Sequence, residues 1–147
     1  LKKQHNQLRI TEIFHSLQGE SVTVGLPTVF VRLTGCPLRC QYCDTAYAFN
    51  GGNMMSIDNI IERITSFACQ HVCITGGEPL AQPGCIELLE KLCDMGHSVS
   101  LETSGARCIS KVDKRVMIVM DLKTPDSGEC EKNMLVNILH LKKSDQI

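Results

Sequence analysis

Long apolar runs are missing from this chain, and so is any concentration of charge of one sign. Without the roughly 20 consecutive apolar residues a membrane helix needs, a spanning helix is not expected. The opening LKKQHNQ is too polar for a signal peptide. Lysines and arginines are scattered, apart from the pairs Lys2-Lys3 and Lys142-Lys143, and the formal net charge is −1. The basic stripe of a nucleic-acid binder is therefore lacking. Internal repeats, low-complexity segments and linkers are lacking too. What remains is the expectation of a cytoplasmic protein with a small-molecule partner, no nucleic acid and no membrane. The 147 residues, 43% apolar and 21% charged, suit one domain over 1–147.

Cysteine, by contrast, is plentiful, with nine residues. An odd number, six of them scattered, argues against a secreted disulfide framework. In a reducing compartment a tight group of thiols points to metal. The group is GCPLRCQYCDT (35–45), in which Cys36, Cys40 and Cys43 are spaced C-x3-C-x2-C.

Periodicity outlines the elements around it. Strands are predicted at 10–17, 28–34, 71–75, 98–102 and 116–121. Residues 28–34 alternate, with Val29, Val31 and Leu33 on one face and Phe30 and Arg32 on the other. A helix is predicted over 56–68, with Ser56 as N-cap and Ile57, Ile60, Ile61 and Ile64 on one stripe. A second runs from about Gly84 to Met95, with Leu88, Leu89 and Leu92 inward and Gly96 as its stop. A third is predicted over 133–141. Strands alternating with helices predict parallel βα units, in an α/β fold of the open-sheet or barrel kind. Four such units are visible, and a closed barrel takes about 250 residues, so a partial barrel is expected.

Arg32, Thr75, Glu102 and Asp121 fall near the C-terminal ends of predicted strands. That is the end at which parallel α/β folds assemble their chemistry. Arg32, opposite an apolar face, is expected to point into a polar lumen and to need an anionic partner.

Structural zinc asks for four ligands, as do ferredoxin-type clusters, and no fourth cysteine or histidine stands beside these three. A [4Fe–4S] cluster on three cysteines leaves one iron open to substrate. At this point the chain resembles the radical S-adenosylmethionine superfamily, whose open iron chelates S-adenosylmethionine. TGGEP (75–79) after a strand matches that superfamily's glycine-rich methionine-binding turn, in which Glu78 can shape the backbone.

The flanks narrow the resemblance. EIFHSLQGES (12–21), GLPTVFVRLTGC (25–36), CDTAYA (43–48), ETSG (102–105) and DLKTPDSGE (121–129) resemble the 7-carboxy-7-deazaguanine synthases of queuosine and deazapurine biosynthesis. The resemblance implies an S-adenosylmethionine-derived radical that abstracts hydrogen from 6-carboxy-5,6,7,8-tetrahydropterin, followed by ring contraction and loss of ammonia. It also implies Mg²⁺, a reductant such as flavodoxin, and a homodimer.

Residue by residue, it implies that Leu17, Gln18, Gly19 and Thr75 line the pterin site and that Arg32 pairs with the substrate carboxylate. Thr45 would offer its hydroxyl to Mg²⁺. Tyr42, Cys43 and Asp44 would lie against adenine, while Gly77, Asp121, Leu122 and Lys123 hold the methionine and ribose portions. Glu20 and Glu102 are second contacts. Ser21 stands where the family usually has glycine. The family also continues for several dozen residues, with a late histidine at the substrate, so this chain is expected to be a C-terminally truncated partial barrel.

Two other readings compete. An activating enzyme for a glycyl-radical protein shares the cysteine spacing but needs neither Arg32 nor SLQGE. A non-catalytic iron–sulfur or zinc protein needs a fourth ligand. Cys69, Cys73, Cys85, Cys93, Cys108 and Cys130 are expected as packing residues or bystanders. The histidines at 5, 15, 97 and 140 are expected at the surface or in packing, and the six methionines in the core.

Overall fold

The computed structural model describes residues 6–147; Lys2, Lys3 and His5 lie outside the described residues. Six strands form one sheet: β1 (Gln7–Leu17), β2 (Pro27–Leu33), β3 (Asn53–Ser56), β4 (His71–Gly76), β5 (Ser98–Thr103) and β6 (Met117–Met120). Their order is β3-β1-β2-β4-β5-β6. From β2 to β6 the pairing is parallel, as alternating strands and helices predicted. The first unit departs from that expectation, because β1 and β2 pair antiparallel as a hairpin and β3 adds antiparallel to β1. Only nine residues separate β1 from β2, too few for the crossover a parallel pair requires. Strand β3, four residues long with Met54 exposed and Met55 partly buried against the core, carries too little alternation to be seen in sequence.

Helices α1 (Ile57–Thr65) and α2 (Cys85–Asp94) cover one face of the sheet. Ser56 caps α1 by accepting a hydrogen bond from Asn59 N–H (3.1 Å). The helix ends three residues earlier than predicted, because Ser66 and Phe67 turn and Ala68 adopts φ 49°. Ile57, Ile60 and Ile64 are buried beneath it, and full burial of such side chains contributes about 1.5–3 kcal/mol each. Leu88, Leu89 and Leu92 of α2 meet Val29, Val31, Leu33, Val72 and Ile74 in the same core. Gly96, at φ 86°, stops α2 as expected.

The helix predicted over 133–141 is a six-residue 3-10 segment, Leu135–His140. Asn137 is the reason. Its buried amide donates to Gly105 O (3.0 Å) and Arg107 O (2.8 Å) and accepts from Ile109 N–H (3.2 Å), pinning the segment to a loop. Leu135, Val136, Ile138 and Leu139 are left exposed, so the apolar stripe never becomes a packed face. Of the methionines, Met120 is fully buried, while Met54, Met95 and Met134 are exposed, against expectation. They lie on an edge strand, a helix C-terminus and a loop, which lack a second layer.

Cys73, Cys85 and Cys93 are packed away, and burial pushes all three thiols up. Cys69 donates to the carbonyl of Pro27 (3.2 Å). Their structural role matches expectation.

Candidate functional site

Strand register builds the floor of a cavity on the face opposite the helices. Glu12 pairs with Arg32, Arg32 with Thr75, and Glu102 with Val119. Ile74 pairs with Leu101, so the next step along those strands brings Thr75 beside Glu102. Thr75 Oγ1 donates to Glu102 Oε2 (2.8 Å), and Gln18 Nε2 reaches Glu102 Oε1 at 3.4 Å. The polar residues thus form a row across four strands, because side chains alternate and the neighbouring row (Val31, Ile74, Leu101) faces the core. Arg32 points into this cavity as its alternation predicted, with 17% of its side chain exposed. Its anionic partner within the protein is Glu12, whose Oε1 accepts from Arg32 Nε (2.8 Å).

The roof is the cysteine loop after β2. Gly35, at φ 97°, donates its N–H to Ala48 O (2.7 Å) and accepts at its carbonyl from Glu78 N–H (2.9 Å). Leu38 is buried beneath the loop. Gln41 N–H donates to Ser127 O (3.0 Å), and Arg39, stacked over Phe49 at 4.2 Å, donates to the carbonyls of Cys36 (2.8 Å) and Leu38 (2.6 Å). These bonds hold Cys36, Cys40 and Cys43 half-buried on one cavity wall. Burial pushes the Cys36 thiol up, opposed by the Leu38 N–H and reinforced by the Glu78 carboxylate.

The GGEP turn closes the end of β4. A Cβ on Gly77 would lie 2.3 Å from Gly35 O and 2.7 Å from Cys36 Cβ. Glycine is therefore required for the turn and the cysteine loop to touch at all. Glu78 shapes the turn from inside: it is fully buried and accepts from Leu80 N–H (3.0 Å), Thr103 Oγ1 (2.9 Å to each oxygen), Ser104 N–H (2.8 Å) and Ser104 Oγ. On the far wall Lys123 pairs with Asp121 and stands 5.9 Å from the Tyr42 ring. Burial alone would lower the Lys123 ammonium's pKa, but the Asp121 carboxylate outweighs it and raises it.

The cavity encloses about 370 Å³, and its wall gathers Cys36, Cys40, Tyr42, Cys43, Asp44, Thr45, Arg32, Thr75, Gly77, Asp121 and Lys123. Four expected residues, Leu17, Gln18, Gly19 and Leu122, are not on that wall. Leu17 is 63% exposed and Leu122 37% exposed. Gln18 is buried behind Glu102. Glu20 and Glu102, expected only as second contacts, both line the wall. Leu38, Phe49, Thr103, Ser104 and Val119 also line it and had no assignment from sequence. For Thr103 and Ser104 the ETSG segment carried a signal; Val119 carried none.

A family model described as the Radical SAM superfamily matches residues 30–127. The 7-carboxy-7-deazaguanine synthase of Chlorobaculum tepidum is 48% identical over 130 residues, covering 88% of this chain and 59% of that protein. The protein of the same name from Thermoplasma acidophilum is 38% identical, covering 94% of this chain and 67% of its own length. This chain belongs to the Radical SAM superfamily, in its 7-carboxy-7-deazaguanine synthase family. The crystal structure of QueE from Escherichia coli superposes with a TM-score of 0.70 at 28% identity, covering 78% of this chain and 60% of that one. The chain spans about three fifths of the length of the first relatives it matches, 59%, 63% and 61%.

Membership implies a [4Fe–4S] cluster and S-adenosylmethionine. The donor set fits. Three thiols share one wall of a cavity large enough for a small ligand, and each cluster iron takes a single thiolate, so the sulfurs need not converge on one point. Among the described residues no three His, Cys, Asp or Glu side chains converge to hold a single ion. Ser21, at the position where the resemblance implied a glycine, adopts φ 66°, a left-handed backbone that glycine takes without strain. Here the Ser21 hydroxyl compensates by accepting from Thr23 N–H (3.2 Å) and bonding Thr23 Oγ1 (2.8 Å). Among the described residues no helix is long and apolar enough to cross a membrane.

Proposed function

We propose that this chain carries the site of a 7-carboxy-7-deazaguanine synthase, converting 6-carboxy-5,6,7,8-tetrahydropterin to 7-carboxy-7-deazaguanine with loss of ammonia. The observation that carries this reading is one cavity holding both the three-cysteine wall and the inward-pointing Arg32. An enzyme that activates a glycyl-radical protein has no use for a buried guanidinium at that place, and no observation favours that alternative or a closed iron–sulfur or zinc site.

In this reading Cys36, Cys40 and Cys43 would hold the cluster, which when bound would supply the electron for reductive cleavage of S-adenosylmethionine. The chain's residues do the rest. Tyr42, Cys43 and Asp44 bracket adenine, while Gly77, Asp121, Leu122 and Lys123 hold the methionine and ribose. Arg32 binds the pterin carboxylate. Thr75, held by Glu102, meets the ring edge, together with Gln18, Glu20 and the backbone at Leu17 and Gly19. Thr45, whose hydroxyl bonds Asp44 Oδ1 (2.6 Å) and caps nothing, offers oxygen to Mg²⁺. A flavodoxin-type reductant, a homodimer and a cytoplasmic location belong to the same proposal.

The test is electron paramagnetic resonance of anaerobically reconstituted, dithionite-reduced protein, followed by product analysis with the carboxytetrahydropterin. A [4Fe–4S]⁺ signal that shifts on adding S-adenosylmethionine, with deazaguanine product, is expected. Bound zinc in place of a cluster would refute the reading.

A further inference from the structure

Glu12 and Tyr47 stand behind Arg32, outside the cavity wall. The sequence of β1 alone would not put Glu12 there. Leu8 and Ile10 face the core, and a side-chain period of two would send Glu12 after them. A bulge intervenes: the register runs from Ile10–Leu33 directly to Glu12–Arg32, leaving Thr11 as the extra residue. Such bulges re-aim the side chains that follow them. Glu12 Oε1 then accepts from Arg32 Nε (2.8 Å) and from Tyr47 Oη (2.8 Å), while the guanidinium carbon stands 5.7 Å from the Tyr47 ring. Tyr47 comes from the 3-10 turn Ala46–Ala48 at the end of the cysteine loop.

These contacts use one of the three guanidinium nitrogens. Among the described residues no partner takes the two terminal nitrogens, so they remain available as the parallel donors that a carboxylate accepts as a pair. Burial alone would raise the Glu12 carboxyl's pKa, but the bonds from Arg32 and Tyr47 outweigh it and hold the group below its ordinary range, keeping it anionic.

We infer that Glu12 and Tyr47 are a positioning pair that aims the terminal nitrogens of Arg32 at the carboxylate of a bound pterin, and so set the preference for a carboxylated ring. The inference rests on the proposed role of Arg32. It also links the pterin carboxylate to the cysteine loop through Tyr47, so the strand floor and the roof meet at one guanidinium.

The test measures binding of two probes, 6-carboxy-5,6,7,8-tetrahydropterin and unsubstituted 5,6,7,8-tetrahydropterin, to the cluster-loaded, S-adenosylmethionine-bound protein by anaerobic calorimetry. Wild type should prefer the carboxylated probe. Glu12→Ala should cut that preference about tenfold, the loss of one hydrogen bond to a charged group. Glu12→Gln, which keeps an oxygen acceptor for Arg32, should restore most of it, and Tyr47→Phe should weaken it less than Glu12→Ala. Affinity for S-adenosylmethionine should stay unchanged, which separates aiming from misfolding. If Glu12→Ala and Tyr47→Phe keep the wild-type preference, the pair merely ties β1 to β2 and the inference falls while the proposed function stands. If wild type itself binds both probes alike, the role of Arg32 fails first and the inference with it.

Discussion

Glu78 offers the sharpest test of how this site is held. Its carboxylate is fully buried and accepts from four donors, of which two, the amides of Leu80 and Ser104, belong to the backbone and cannot turn away. The hydroxyls of Thr103 and Ser104 can rotate toward other acceptors. Glu78→Ala therefore strands the buried Ser104 N–H and the part-buried Leu80 N–H, each costing up to about 1–3 kcal/mol, for a total of about 2–6 kcal/mol. Against a typical domain stability of about 5–15 kcal/mol this is a large fraction. Glu78→Gln keeps the volume and one oxygen but turns an NH2 toward the remaining donors, so about half that loss is expected. The assay is urea unfolding followed by circular dichroism. With a slope near 2 kcal/mol per molar, a loss of about 4 kcal/mol moves the midpoint by about 2 M. Glu90→Ala, on the exposed side of α2, serves as control and should stay within about 0.5 kcal/mol. A Glu78→Ala protein within about 1 kcal/mol of wild type would refute the claim that this carboxylate anchors the turn.

Three further outcomes are expected. Gly77→Ala places a Cβ 2.3 Å from Gly35 O, so the turn and the cysteine loop must part; a loss of about 1–3 kcal/mol and lower iron per chain after reconstitution should follow. Acid sensitivity should come from Asp113 and Asp145. A hydrogen bond from Arg115 lowers Asp113 to about 2. Asp145, which burial would raise, is held low by Ile118 N–H and by Lys142. Both contributions are present above the unfolded value near 3.9 and vanish as pH falls through the folded values, so Asp145→Asn should be less stable at pH 7, with the gap to wild type shrinking as pH falls below about 3.9. Finally, the exposed Cys108 thiol is held below its ordinary range by Ser110, whereas burial pushes Cys73 and Cys85 well above theirs. Brief iodoacetamide treatment of folded protein should mark Cys108 ahead of Cys73 and Cys85 by peptide mass spectrometry, and early labelling of either buried thiol would contradict this packing.

Much of the site could be read in the sequence because its chemistry is local. Three cysteines in eight positions, two glycines before Glu78, and an arginine alternating with core valines are statements about neighbours along the chain. The same holds for α1 and α2, whose caps and apolar stripes repeat at helical spacing. Misreadings arose where local preference met a distant partner. The segment 133–141 has the apolar content of a helix, yet three hydrogen bonds from Asn137 to residues 28 to 32 positions away hold it as a 3-10 turn.

Tertiary structure alone decided the rest. That Glu12 faces Arg32 depends on one bulged residue, and a bulge inverts every side chain beyond it without leaving a mark in composition or period. That Glu78 is an internal anchor depends on β5 ending beside the turn, where Thr103 and Ser104 supply donors from 25 and 26 residues away. That Gly77 must be glycine depends on the approach of the loop at Gly35 and Cys36, far earlier in the chain. The amino-acid sequence determines which groups are available and where helices and most strands begin. Which groups meet is set by strand register and loop packing, because those energies are exchanged between residues far apart in the chain.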